Sequence, residues 1–390
     1  MVERLYDALL RRQTAWREAL TPVLRRLLRF LALPWLYATA IPWSDGGPGR
    51  LQAVGDLLHV FFRLGYFPDN YGPCRLWEKP RGEWVLYYGS GYNPRARARL
   101  RRSVQPRHLE AVFEDKHVAA LLVQGADLPQ PTFYGTVAPG VDYVRSIEAV
   151  MAAHGETALM IKPVGGAMGR GVGRVERRGD GLWVRVGDES ARPLSERRPA
   201  SRELLQGVVE SDAAIARLAP GALSTIRVVT MLARGGDVVL LGATMRCGRR
   251  DSVVDNWSAG GIAVGVDDAT GALAADGFDK RGRRYAEHPD TGVPFHGTVI
   301  PRWDEVRDLA VRTQAAFPFF RLFGVDVAVG AAGPVIIEIN ALPDLVFQEQ
   351  TSGPLLGRED VLEAFAADDL LFSGPQRRLL ADSRARSQPS

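Results

Sequence analysis

Two stretches of the chain carry residue types and spacings that could handle phosphate. The first is MIKPVGGAMGRGVGRV, in which Lys162 ends an apolar strand and Gly165, Gly166, Gly169, Gly171 and Gly173 follow within eleven residues. Glycine lets the backbone approach a ligand closely, and successive N–H groups on such a turn form a concavity that suits phosphate oxygens. The lysine adds a point charge. The order is not the P-loop, whose lysine follows its glycines, nor the Rossmann fingerprint, which has no such lysine.

The second stretch is FGVDVAVGAAGPVIIEIN. VDVAV and VIIEI read as short strands joined by GAAGP, a hairpin signal. With Gly330 opposite Pro334, Asp326 faces Glu338, and alternation puts Asn340 on the same face as Glu338. Two like charges about 4 Å apart repel by roughly 4 kcal/mol at an effective dielectric of about 20. Such a face either protonates or holds a cation. Oxygen ligands in this number suit magnesium, with nucleotide phosphates and water completing the shell. The plain alternative is an exposed strand face with unrelated acids.

Other residues are weaker signals alone. Arg227 in LSTIRVVTML sits inside a β-branched strand, where a buried guanidinium needs an anionic partner. Arg246, Arg249, Asn256, Gly260 and Gly261 could line an anion pocket or belong to an ordinary polar loop. Lys116 in FEDKHVAALL reads by itself as a surface lysine. No GxSxG occurs, and neither Cys74 nor Cys247 has a histidine partner in sequence. His288 in EHPDTG is either a substrate contact or a turn histidine.

Composition bounds the possibilities. A chain of 390 residues fits two or three domains at about 150 each. Hydrophobic residues at 46% and charged residues at 24% exclude a wholly disordered or fibrous chain. Of 49 basic residues only four are lysines, Lys79, Lys116, Lys162 and Lys280, so a motif that demands lysine has four positions to draw on. Two cysteines cannot build a disulfide framework or a four-thiolate zinc site, and they fit a reducing, cytoplasmic setting. The uncharged run Phe30 to Ser44 has two internal prolines and is too short to span a bilayer.

The positioning elements follow from pattern. Residues 1–45 predict one or two helices with an apolar stripe of Leu5, Leu9, Trp16, Leu20, Val23, Leu24, Leu27 and Leu28. The expected arrangement packs that stripe on the protein and leaves an arginine face in solvent; peripheral contact with an anionic membrane is the alternative. A helix is expected at 50–64 and a strand at 83–88. The arginine run at 95–102 lacks the interleaved aromatics of a single-strand binder and reads as a solvated face, so no nucleic-acid partner is expected. Helices are predicted at 107–124, 142–154, 201–218 and 303–317. Strands are predicted at 172–177, 182–186, 225–232, 237–246, 325–330 and 335–339. Hairpins joining several of these strands indicate an α+β fold. The polar tail from Gly374 reads as frayed.

Together EDKHVAALL, LPQPTFYG, MIKPVGGAMGRGVG, LSTIRVVT, VDNWSAGGI, EHPDTG and FGVDVAV…GPVIIEIN resemble the ATP-grasp superfamily. Within it they look most like the sugar-transfer-associated, alpha-L-glutamate ligase-related group, over roughly residues 50–355. The resemblance implies two α+β subdomains gripping ATP: residues 106–205 with a glycine-rich lid and 206–373 with a metal site. A helical region 1–105 would precede them and a flexible tail 374–390 follow. It implies that Lys116 and Lys162 contact the nucleotide phosphates, with Lys162 also near the adenine, and that Gly165 to Gly173 close over the β- and γ-phosphates. The segment Gln206 to Glu210 would be the adenine hinge, with the backbone around Val208 reading the base and Glu210 or Asp212 taking the ribose. Asp326, Glu338 and Asn340 would hold magnesium. Arg227, Arg246 and Asn256 would face the transferring phosphate or the substrate carboxylate. The group often has a tryptophan before the metal aspartate, where this chain has Val325; that neighbour points to the other strand face.

The implied activity is ADP-forming ligation. A carboxylate is activated as an acyl phosphate and attacked by an amine or other nucleophile, in polysaccharide or secondary-metabolite biosynthesis. The alternatives are an ATP-dependent kinase of a hydroxyl substrate and a nucleotide-binding scaffold of a sugar-transfer assembly. The oligomeric state and the substrates are not legible.

Overall fold

The computed structural model describes residues 22–43, 46–89, 94–166, 169–249, 260–280 and 282–387. The described residues start with helices α1 (Pro22–Thr39) and α2 (Arg50–His59); α2 runs on into a π turn, Val60–Leu64. Short 3-10 turns at Leu76–Glu78 and Arg81–Leu86 lead to α3 (Pro94–Ser103). The strand expected at 83–88 is therefore a helical turn. Trp84, Tyr87 and Tyr88 are the buried residues, a spacing of three and four that suits a turn and not a pleat.

The helix expected over 107–124 is broken into α4 (Glu110–Glu114) and α5 (Lys116–Gly125). Asp115 makes the break. Its carboxylate accepts from the N–H groups of His117 and Val118 and caps α5.

A six-stranded sheet follows, made of β1 (Phe133–Val137), β2 (Ala158–Pro163), β3 (Gly173–Arg178), β4 (Gly181–Val186), β5 (Arg192–Pro193) and β6 (Glu203–Gly207). Its order is β1-β6-β2-β3-β4-β5, antiparallel throughout. Helix α6 (Tyr143–His154) covers one face, where Ile147, Met151, Leu159, Ile161, Val175 and Val184 form a core. The helix expected at 201–218 is corrected here. Residues 203–206 are all buried as a central strand, and only α7 (Ala213–Leu218) is helical. The run ELLQG is short and has no alternation, and Glu203 and Gln206 are buried beside the leucines, so its pattern does not distinguish the two forms.

The second sheet has seven strands: β7 (Thr225–Leu232), β8 (Val238–Cys247), β9 (Ile262–Val266), β10 (Leu273–Phe278), β11 (Arg284–Tyr285), β12 (Leu322–Gly330) and β13 (Gly333–Asn340). They run in the order β11-β10-β9-β8-β7-β12-β13. Every residue of β12 is buried, because both faces of the sheet are covered. Helix α8 (Trp303–Ala316) packs on one side through Val306 and Leu309, against Ile226, Val228, Val325 and Val327. The helical N-terminal region packs on the other, where Tyr71, Trp84 and Tyr88 share a core with Val229, Met231 and Leu322. Helices α9 (Leu345–Ser352), α10 (Glu359–Ala367) and α11 (Gly374–Ser387) complete that layer.

The tail expected to fray from Gly374 is helical as far as Ser387. Buried Gln376 anchors it, accepting from the N–H groups of Phe372 and Ser373, while Leu379 and Leu380 pack on the core.

Candidate active site

The β12–β13 hairpin brings the two acids together by a different route from the one expected. Gly330 pairs with Gly333, not Pro334, and the ladder keeps that register through Val327–Ile336. A bulge then skips Ile337, so Asp326 meets Glu338 and Gly324 meets Asn340. The predicted pairing of the acids stands, reached through a tighter turn and one extra residue.

Neighbouring strands supply the counter-charge. Arg227 on β7 lies opposite Asp326, and Arg246 on β8 lies opposite Thr225. Arg227 Nε and Nη2 donate to the two Asp326 oxygens at 2.6 and 2.7 Å, and Arg246 Nη1 donates to Oδ2 at 2.9 Å. The Asn340 amide adds a donor at 3.2 Å. Asp326 is 2% exposed. Burial alone would raise its pKa, but the two guanidinium charges outweigh burial and hold the carboxyl below the usual aspartate value. In this structure arginine and lysine side chains neutralise the face. Glu338, with its side chain 36% exposed, pairs with Lys116 Nζ at 3.0 Å. Among the described residues no group of three or more His, Cys, Asp or Glu side chains forms a metal cluster.

Lys116 joins this face to the glycine-rich turn. The capped start of α5 holds its backbone N–H on the carbonyl of Val164 at 3.0 Å, and Asp115 bridges Gly165. Its ammonium donates to the carbonyl of Gly166 at 2.6 Å as well as pairing with Glu338. Lys162 sits on β2 opposite Leu204. Residues 167 and 168 lie outside the described residues; Gly169 lines the cleft. Gly171 closes the turn with φ +76°, and an added Cβ there would stand 2.9 Å from Pro163 Cγ. Its carbonyl accepts from Arg197 at 3.1 Å, and Arg197 is anchored by a buried pair with Glu203, to which Tyr143 also donates. Gly171→Ala is expected to lose about 1–2 kcal/mol of stability from the left-handed backbone alone. Urea unfolding measures it, and an unchanged midpoint would refute the left-handed turn at Gly171.

Between the two sheets lies a cleft of about 510 Å³, lined by Lys116, Lys162, Gly166, Gly169, Val208, Glu210, Arg246, Asp326 and Glu338, among others. Its walls carry seven cationic side chains and four carboxylates. Four of the cations, Arg170, Arg174, Arg178 and Arg185, were not singled out from the sequence. Arg174 and Arg185 are direct cross-strand partners on β3 and β4. Like charges set opposite each other repel, and an anion between them relieves the repulsion. The available signal was alternation: Arg174 and Arg178 share one face of β3, while Val175 faces the core.

The remaining predicted residues divide. Arg227 stands behind Asp326 and does not line the cleft. Gln206 is buried on β6 and lines, with Lys116, Lys162 and Glu338, a smaller cavity of about 30 Å³. Glu210 lines the main cleft and pairs with Arg174 at 3.7 Å. Asp212 does not line it: its carboxylate caps α7 through the N–H of Ala214 at 2.8 Å, so of the two acids expected for a ribose, Glu210 is the one in the cleft. Asn256 lies outside the described residues. Arg249 is held by Asp290 through two hydrogen bonds of 2.6 and 2.7 Å. His288 is a buried turn residue, bonded to the Gly248 carbonyl and accepting from the N–H of Asp290.

The sequence profile described as sugar-transfer associated ATP-grasp matches residues 95–363, more than half of the chain. The chain belongs to this family. The ATP-grasp family implies ATP use and small-molecule substrates, and the two antiparallel sheets with a preceding helical region are its α+β fold in this chain.

Similar solved structures include D-cycloserine synthetase DcsG, at 19% identity and TM-score 0.40, covering 70% of this chain and 73% of that one. D-alanine-D-alanine ligase from Coxiella burnetii is 11% identical at TM-score 0.35, with coverages of 71% and 61%. The corresponding ligase from Bacillus anthracis is 12% identical at TM-score 0.37, with 72% of each chain covered. No curated protein sequence matches this ATP-grasp chain.

Proposed function

We propose that this ATP-grasp chain is an ADP-forming, magnesium-dependent ligase that activates a carboxylate as an acyl phosphate for attack by an amine or other nucleophile. The observation that carries the reading is Lys116, whose ammonium binds the glycine-rich turn and the acid face at once, on the wall of a cleft with an excess of positive charge. A volume of about 510 Å³ falls in the range of small-molecule sites, and cationic walls favour a triphosphate. Lys116 and Lys162 would meet the phosphates, with the Gly165–Gly173 turn as the lid. The backbone at Val208 would read the base, with Gln206 behind it, and Glu210 would take the ribose.

The donor set fits magnesium in kind. Glu338 is accessible with a single lysine partner, Asp326 lies opposite it, and Asn340 offers an amide oxygen once its side chain turns over. Bound there with phosphate oxygens, magnesium would neutralise charge on the transferring phosphoryl group.

The chain's own residues position and neutralise. A substrate carboxylate oxygen attacks the terminal phosphorus and the bond to the ADP oxygen breaks. The amine nitrogen then attacks the acyl carbon, inorganic phosphate leaves, and the amine gives up a proton. Arg246 lines the cleft beside Asp326 and would hold the phosphoryl oxygens or the substrate carboxylate. Arg227 would act from behind by fixing Asp326, and Asn256 would face the same phosphoryl group or carboxylate. Such positioning and electrostatic stabilisation need no covalent nucleophile.

The test is ADP release across pairs of carboxylates and amines, followed by the mass of the product. An amide or ester with ADP and phosphate supports the reading. AMP with pyrophosphate, or a phosphomonoester, overturns it. Lys162→Ala is expected to weaken ATP binding about 100-fold in calorimetry, since hydrogen bonds to charged groups contribute about 1.5–3 kcal/mol each. Unchanged affinity would remove Lys162 from the nucleotide site.

A further inference from the structure

The apolar residues of α1 do not pack as their spacing suggests. Leu24, Leu27, Leu28, Leu31 and Trp35 recur at steps of three and four on one stripe, and all are exposed, Leu31 by 63%. On α1, Leu33 and Leu36 form a core with Phe61, and Tyr37 packs against the core of the second sheet. The helix is thus apolar on two sides: Leu33 and Leu36 enter a core, and the stripe from Leu24 to Trp35 is exposed. The expectation that Leu24, Leu27 and Leu28 lie on the packed face is corrected.

A second stripe continues the first. On α2 and its π turn, Leu51, Val54, Leu58 and Phe62 are also exposed, Leu51 by 89% and Phe62 by 54%. Phe30 and Phe62, both exposed, stand 5.8 Å apart between ring centroids and join the two stripes. Exposed apolar surface gathered on this scale marks an interaction site.

Among the described residues of 22–64 the exposed charge has one sign. Arg26, Arg50 and Arg63 are exposed, and Arg26 lies over the Phe61 and Phe62 rings at 5.8 and 6.0 Å. Among the described residues of 22–64 the sole carboxylate is Asp56, buried and spent on Arg81 and Tyr71. From Ala19 to Ser44 the sequence holds no acid at all. Apolar residues in a continuous band, with arginines and no exposed acid beside them, are complementary to an anionic lipid headgroup layer above acyl chains. No helix among the described residues is long and apolar enough to cross a membrane, so the contact is one of lying on the surface.

We propose that the face formed by α1, α2 and the π turn docks this protein peripherally on an anionic lipid surface. The inference does not depend on the catalytic reading, because none of these residues lines the cleft.

The test is flotation of the full chain with vesicles of phosphatidylglycerol and, separately, of phosphatidylcholine. Partitioning should be at least about tenfold stronger on the anionic vesicles and should fall about tenfold in roughly 0.5 M salt. The double variant Leu27→Glu, Leu31→Glu should lose anionic-vesicle binding by a similar factor while its melting temperature and ATP affinity stay unchanged, which separates lost docking from lost folding. No flotation of the full chain, or equal flotation of the variant, overturns the proposal. So does a dimer that the variant dissociates without any vesicle binding, which would make the face a contact between copies. Binding that emerges only after removal of residues 1–21 also overturns it, because that segment would then be the occupant.

Discussion

Asp326→Asn is expected to destabilise the folded chain by about 3–5 kcal/mol, although asparagine has nearly the same shape. Asp326 is the shared anion of Arg227 and Arg246, and the amide that replaces it cannot neutralise either. Arg227 and Arg246, each with its side chain about 15% exposed, would then lose the carboxylate they share. The pH dependence carries a signature. The folded pKa of Asp326 is depressed below the ordinary value of 3.8, so its contribution is fully present above that value and is lost as pH falls through the folded pKa. The stability gap between wild type and variant should therefore be widest at neutral pH and close in acid.

Without magnesium, ATP should stabilise the variant more than the wild type, since a polyphosphate beside Arg246 supplies part of the missing negative charge. Chemical unfolding across pH, with and without nucleotide, measures all of this. A neutral-pH loss below about 1 kcal/mol would show that the arginines do not depend on Asp326. Replacing Asp326, Arg227 and Arg246 together by apolar residues should cost less than the single change, because no charge is then left stranded.

Glu338→Gln should behave in the opposite way: turnover falls by about 100- to 1,000-fold while stability barely moves. Its ion pair with Lys116 is partly solvated, and such pairs contribute about 0–1 kcal/mol. The carboxylate is the more accessible oxygen donor of the face, so its loss should also raise the magnesium concentration needed for half-maximal activity. Steady-state kinetics against magnesium, beside a thermal melt, separates the two effects. Wild-type turnover in the variant would remove Glu338 from the phosphoryl-transfer site. A melt lowered by several degrees would make it a structural residue instead.

The contrast between these acids shows what was readable beforehand. Their pairing follows from strand period and a hairpin signal, and the prediction reaches it even though the turn is one residue tighter and a bulge at Ile337 restores the register. A period of two reports which residues share a face and is blind to a bulge. Arg227 announces its need for an anion by sitting in a β-branched strand, but its partner is 99 residues away, and only the order β8-β7-β12-β13 selects it. The sequence alone treated the acids as sites for protons or metal because the arginines that neutralise them belong to other strands.

Local chemistry therefore determined the glycine-rich turn with its lysine, the acid hairpin, the α+β class and the family, since each rests on residues close together in the chain. The tertiary structure decided what pairs with what. It placed Arg174 and Arg185 in the cleft instead of bulk solvent, because one face of their sheet is turned toward the second sheet. It made 203–207 a central strand, because a run buried on both sides carries no period. It turned the stripe of α1 outward, because hydrophobic spacing fixes a helical face and leaves open whether the protein itself or something else covers it.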